Sequence, residues 1–302
     1  MRLRSTVFLT FISLLFFSFR SLSQQLTEAS CLQSIDSIFH SQPGSFALAF
    51  KDLSSGRQLF LHEHETFHAA STMKTPVLVE IYRQAATHRL SLTDSIVLKN
   101  EFTSIADSST YQLDSTDDSE TELYRHLGEK RSINDLVCQM ITVSSNFATN
   151  LLIARIGPAS IGVTLHKLRL DELHVLRGVE DNKAYQKGLN NTVTAAGLAQ
   201  LFEKMAKGRL VSRQASKDMI QILLDQHFND IIPAGLPAGT KVAHKTGWIK
   251  GVHHDSGIVF LPDGKKYVLV LLSKDLADDK AGAGALAAVS AIIYRYVISE
   301  GP

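Results

Sequence analysis

Strand-forming sequence is confined to the two ends of this chain, and that separation limits what it can fold into. Ser45 to Asp52 and Gln58 to His62 read as strands joined by Leu53-Ser54-Ser55-Gly56-Arg57, a hairpin loop by composition. The remaining strand signals are Lys241 to Gly247, Ser256 to Leu261 and Tyr267 to Ser273, the last two joined by the turn Pro262-Asp263-Gly264. Between these groups apolar residues recur at helical spacing. Leu26 to Phe39 and Ala283 to Ile298 add a helix at each end. The arrangement predicts an α+β fold: a mixed, mainly antiparallel sheet flanked by the terminal helices, plus an all-helical part inserted between its strands.

The chain has 302 residues, 44% hydrophobic and 20% charged, so it is long enough for one large core and is not a disordered chain. A formal net charge of +1 gives no electrostatic reason to expect nucleic acid or an anionic membrane as partner. Residues 1–23 read as a secretory signal. Arg2 and Arg4 start it, Val7 to Phe19 form its apolar middle, and Ser21-Leu22-Ser23 is a small-x-small cleavage site before Gln24. That run is too short to span a bilayer comfortably, so no stable membrane insertion is expected after cleavage, and the mature protein should be secreted or periplasmic. One domain, 24–302, should follow, with an α/β part near 24–70 and 210–302 and a helical part near 71–209. Cys31 and Cys138, the only cysteines, fall in helical segments among apolar neighbours and are expected as buried free thiols. His62, His64 and His68 match none of the usual zinc spacings, so they read as a polar strand end and no metal is expected.

Three short motifs carry the chemistry. In the first, Ser71-Thr72-Met73-Lys74 opens an apolar run in which Val77, Leu78, Ile81, Tyr82 and Ala85 mark a buried helix face. If the helix begins at Ser71, Lys74 stacks on the serine's face and the two groups touch. A serine hydroxyl needs such a neighbour before it can attack a carbonyl. Pro76, slightly deeper than a helix tolerates best, predicts a local irregularity. The second motif follows a helix capped by Ser132 and reads Ser144-Ser145-Asn146. Asn146 and Asn150 share a helix face, and Ser144 lies in the turn before it. The third, Lys245-Thr246-Gly247, lies on a strand whose glycine lets another backbone approach. Between the second and third runs an irregular stretch, His174 to Asn191, that contains Glu180 and Asp181. Leu90 to Gly128, acidic and serine-rich between Asp107 and Glu122, reads as a solvated excursion.

The three motifs in this order resemble the class A serine β-lactamases and their penicillin-binding relatives, over about Leu26 to Ile298. The resemblance implies that Ser71 attacks a strained lactam or acyl-D-alanyl carbonyl to give an acyl-enzyme. Lys74 would assist proton removal and Ser144 would pass the proton to the departing nitrogen. Asn146 would bind the substrate side-chain amide, and Lys245 and Thr246 its carboxylate. Backbone N–H groups of Ser71 and Trp248, which follows Gly247, would form the oxyanion hole, a feature worth ~3 kcal/mol of barrier. Glu180 stands near the family's deacylating glutamate, but Asp181-Asn182-Lys183-Ala184 follows it in place of E-x-x-L-N, and Asp181 is the substitute candidate. Ser145 replaces the aspartate that usually braces the central motif. Trp248 replaces a small hydroxyl residue, and His253-His254-Asp255 reads as polar residues at a strand end. The implied protein is an exported, monomeric serine hydrolase that opens β-lactam rings without metal or organic cofactor. Its rivals are a D-alanyl-D-alanine peptidase acting on peptidoglycan and a penicillin-binding sensor or decoy that stays acylated.

Overall fold

A computed structural model describes residues 26–299. The segment read as a secretory signal lies outside the described residues. The main sheet has five strands: β1 (Ser45–Asp52), β2 (Gln58–Leu61), β3 (Lys241–Ile249), β4 (Val252–Phe260) and β5 (Lys266–Lys274). Their order is β2-β1-β5-β4-β3 and every neighbouring pair is antiparallel, so this sheet is not mixed. The early and late strands join along β1, where Ser45 lies opposite Lys274 and Asp52 opposite Tyr267. The β3–β4 ribbon runs past Gly247 and begins before Ser256. Gly251 (φ 77°) makes its tight turn, and polar residues there oppose one another, with Trp248 opposite His253. Apolar alternation fades where a strand borders a polar site, which is why the sequence signal stopped short.

Alternation along the strands divides the core. Phe46, Leu48 and Phe50 of β1 pack with Tyr267, Leu269 and Leu271 of β5 against α1 (Glu28–His40) and α9 (Asp279–Ile298), which contribute Cys31, Ile35, Leu286, Val289 and Ile293. Ala47, Ala49, Val268, Val270 and Leu272 face the other way, toward the helical part. That part holds α2 (Lys74–Ala86), α3 (Ile133–Thr142), α4 (Asn146–Ile156), α5 (Pro158–Lys167), α6 (Asn182–Gln186), α7 (Ala195–Ala206) and α8 (Arg213–Leu224). Helix α2 is sunk in it, with every residue from Lys74 to Tyr82 buried. Pro76 is accommodated in its first turn, where a missing N–H leaves no intrahelical bond unmade.

Caps, more than apolar spacing, set the helix starts. Thr27, Ser132, Ser145, Thr194, Ser212 and Asp278 each accept a backbone N–H of the first turn that follows. Helices α8 and α9 therefore begin earlier than their buried faces indicate. Cys31 is buried and Cys138 only partly so; both are free thiols.

Candidate active site

Ser71 does not open the helix. It lies in a 3-10 turn, Ala70–Met73, that leads into α2. Ala70 holds φ at 43°, and its N–H donates to His68 Nδ1 at 3.1 Å. Strand β3 lies against this turn. A Cβ on Gly247 would come within 3.1 Å of the Ser71 backbone nitrogen and 3.2 Å of Ala70 Cβ, so any other residue there would push the turn back by a few tenths of an ångström.

Lys74 is completely buried and donates to Ser144 O (2.6 Å), Ser144 Oγ (3.1 Å) and Asn146 Oδ1 (2.9 Å). None of its hydrogen bonds goes to Ser71, so the expected direct contact is replaced by one to the second motif. Lys245, also fully buried, donates to the same Ser144 Oγ at 3.1 Å and to Thr246 O at 3.0 Å. Ser144 holds φ at 60°, which turns its carbonyl and its hydroxyl toward the lysines. Burial pulls the Lys74 amine down to about 7, against the opposing pull of the Asp118 and Glu180 carboxylates. Burial, reinforced by the Lys74 charge, holds Lys245 well below the ordinary lysine value.

The brace that Ser145 seemed to remove is supplied from elsewhere. Asp118, in the polar excursion, accepts the Asn146 N–H at 2.9 Å and the Phe147 N–H at 2.8 Å, and the Tyr124 hydroxyl donates to it at 2.9 Å. A buried carboxylate thus sits on the N-terminus of α4, where the helix dipole and free N–H groups favour negative charge. Ser145 caps the same helix through its hydroxyl, which accepts the Ala148 N–H at 3.1 Å. The excursion is therefore part of the site, with Thr116, Asp117 and Ser119 also on the cavity wall.

Glu180 reaches the centre. Its Oε1 accepts from Asn146 Nδ2 at 3.0 Å, and burial raises its carboxyl above the ordinary value. The loop around it is clamped by Asn150, whose Oδ1 accepts the Val179 N–H at 2.6 Å and whose Nδ2 donates to Val179 O at 2.9 Å. Gly178 makes room for the clamp, because a Cβ there would lie 2.7 Å from Asn150 Oδ1. Asp181, the substitute candidate, is excluded by its contacts. It accepts from Ser104 Oγ (2.7 Å), Ile105 N (2.9 Å) and Ala184 N (3.1 Å), capping α6 and tying the loop to the excursion. Asn182 lines the cavity with Glu180.

These groups share one cavity of about 870 Å³, whose wall includes Ser71, Ser144, Asn146, Glu180, Thr246, Gly247 and Trp248. Trp248 stands on its rim, 62% exposed. His253, His254 and Asp255 form no relay. Asp255 pairs with His244 at 2.8 Å, while His254 contacts His68 O through Nε2 at 2.8 Å and is held down to about 4 by burial. His64 pairs with Glu172 and His68 lines the cavity. Motif reading missed Asp118 and Arg177 on this wall; the acidity of the segment 107–122 was the only signal for the first.

A serine at a tight turn, two buried lysines on a shared hydroxyl, and a loop carboxylate at the end of an antiparallel sheet define a serine β-lactamase-like architecture. The chain belongs to the beta-lactamase enzyme family, whose family model matches residues 31–297. A beta-lactamase of Bacteroides uniformis is 28% identical over 176 residues, covering 54% of this chain and 59% of that protein's length. Among solved structures, PBP-A is 27% identical with a TM-score of 0.77, over 90% of this chain and 97% of that one. A substituted PBP-A, solved as an acyl-enzyme complex with penicillin G, is 28% identical at TM-score 0.77, over 90% and 98% of the two chains. The beta-lactamase from Sphaerobacter thermophilus DSM 20745, 23% identical, has the same fold at TM-score 0.77, over 91% and 99%.

Proposed function

We propose that this protein is an exported class A β-lactamase that hydrolyses the lactam amide through an acyl-enzyme on Ser71. The observation that carries the reading is the shared position of Ser144 Oγ, 3.1 Å from both Lys74 Nζ and Lys245 Nζ, in the cavity that holds Ser71 and Glu180. An amine near 7 is about half neutral at pH 7 and mostly neutral by pH 8, so it is available as a base for the Ser71 proton. As Ser71 Oγ bonds to the lactam carbonyl carbon, the carbon–nitrogen bond breaks and the nitrogen takes a proton from Ser144 Oγ, which Lys74 restores. The N–H groups of Ser71 and Trp248 face the developing oxyanion, and Lys245 with Thr246 meets the ring carboxylate. Glu180 then draws a proton from water as the water oxygen bonds to the ester carbonyl carbon, the bond from that carbon to Ser71 Oγ breaks, and the proton passes from Glu180 to Ser71 Oγ. Export rests on the sequence of residues 1–23, and a role in antibiotic resistance would follow from turnover in the periplasm.

Similarity to PBP-A, whose penicillin G acyl-enzyme was captured, keeps a second reading in view: a penicillin-binding peptidase or sensor that acylates and turns over slowly. Intact-protein mass spectrometry during incubation with benzylpenicillin separates the two. The β-lactamase reading expects a transient adduct and accumulating hydrolysed drug in the wild type, none in Ser71→Ala, and a persistent adduct in Glu180→Gln. A wild-type adduct that never clears supports the sensor, and release of D-alanine from a stem peptide supports the peptidase.

A further inference from the structure

Arg177 is buried in the cavity wall with no carboxylate hydrogen-bonded to it among the described residues. It is 6% exposed, and its guanidinium donates only to uncharged oxygens: Leu189 O at 3.1 Å, Gly178 O at 3.0 Å and Asn190 Oδ1 at 3.5 Å. Among the described residues no carboxylate forms an ion pair with it. Asp181, which acts on it through space, has its oxygens occupied by Ser104, Ile105 and Ala184. A guanidinium offers five N–H donors, so donors remain beyond these three bonds. These bonds join the start of the loop to its end and leave part of the guanidinium for a further acceptor.

His68 stands beside it. Its Nδ1 accepts the Ala70 N–H, which puts the proton of the neutral ring on Nε2 as a second donor. Burial and the Arg177 charge keep that ring below its ordinary value. The Tyr185 ring lies 5.7 Å from the Arg177 guanidinium carbon and 6.0 Å from the His68 ring, and all three residues line the cavity that holds Ser71. Arg177 and Tyr185 belong to the Glu180 loop, whereas Lys245 and Thr246 belong to β3. Asn146, bonded to Glu180 on that loop, would on the lactam reading hold a substrate's acylamino side chain beside it.

We propose that Arg177, His68 and Tyr185 form a second anion subsite, which takes a carboxylate carried on the acylamino side chain of the substrate. The assignment to a substrate rests on the lactam reading above. Benzylpenicillin and its α-carboxylated analogue differ by that one group. The ratio of their kcat/KM values, analogue over parent, should fall about tenfold or more in Arg177→Gln and be largely retained in Arg177→Lys. Reading the ratio within each variant separates the subsite from any loosening of the loop, and an unchanged ratio overturns the proposal. A second arm needs no turnover: phenylmalonate should raise the melting temperature of the wild type more than phenylacetate at equal concentration, and lose that advantage in Arg177→Gln. Equal effects of the two acids overturn the subsite, and inorganic phosphate matching phenylmalonate overturns its assignment to a substrate. Absence of any benzylpenicillin adduct on Ser71 defeats the lactam reading alone, and the acid-binding arm then decides whether the anion subsite exists.

Discussion

Lys74 and Lys245 direct their amines at one oxygen, the Ser144 hydroxyl, at 3.1 Å each. Two charged ammonium groups so close together in a dry site repel one another, and burial already disfavours both charges. The arrangement favours at least one neutral amine, and a neutral amine can take a proton.

Acylation should follow the titration of Lys74. Its amine must be neutral to act as base, so kcat/KM for benzylpenicillin should rise between pH 6 and 8 through a limb near the value of about 7. Glu180 must be ionised to activate water, and burial raises its carboxyl, so kcat should decline as the pH falls through that raised value. Lys74→Arg, which keeps a charge that does not dissociate, should lose acylation by about a thousandfold. Initial rates across pH measure all three, and a kcat/KM flat from pH 6 to 8 would assign the base elsewhere.

Asp118 should matter to both stability and chemistry. It accepts two N–H groups at the start of α4 and the Tyr124 hydroxyl. Asp118→Ala should cost about 3 kcal/mol of unfolding free energy in urea and slow acylation. Ser145 Oγ lies 3.5 Å from Asp118 Oδ2, so Ser145→Asp in the Asp118→Ala background should restore more than half of the lost stability. Failure of that rescue would mean that Asp118 acts through more than its charge on this helix end.

Gly178→Ala should separate the two half-reactions. A methyl 2.7 Å from Asn150 Oδ1 and 2.8 Å from the Tyr111 hydroxyl forces the clamp on Val179 open. Glu180 would then be poorly aimed while the Ser71 turn is untouched. Deacylation should slow by about 10- to 100-fold with acylation changed far less, read from burst amplitude and steady-state rate in stopped flow. Equal slowing of both steps would show that the loop also shapes the acylation geometry.

Trp248 offers a direct optical probe. It is the only tryptophan in the chain and stands 62% exposed on the cavity rim. Benzylpenicillin added to the deacylation-deficient Glu180→Gln variant should change its emission in step with the adduct seen by mass. Adduct formation with unaltered emission would place the bound drug away from this rim.

The sequence was most legible where function sits on contiguous side chains. Ser71, Ser144, Asn146, Thr246 and Gly247 stand on one cavity, with Lys74 and Lys245 buried behind Ser144, because each motif is a local turn or strand that carries its own geometry. Partnerships across the fold were not legible. The Asp118 contact with Asn146 spans a separation of 28 residues, and nothing in a solvated-looking segment tells which carboxylate folds back. A helix that began at the serine would bring Ser71 and Lys74 into contact. The intervening 3-10 turn leaves the lysine free to bond to Ser144 instead. Asp181 and Glu180 could not be separated by sequence, because adjacent acids differ only in which donors surround them.

The pairing of Ser45 with Lys274 and Asp52 with Tyr267 means that a growing chain can close the sheet only after every residue up to β5 has been made, with α9 alone still to come. During translation Ser71 and Lys74 emerge long before β3 exists to lie against their turn. Until β5 follows, Phe46, Leu48 and Phe50 have no partner strand to meet, and the nascent hairpin exposes an apolar ribbon to any chaperone that handles it. A message cut short before β3 therefore yields the Ser71 turn without the crevice.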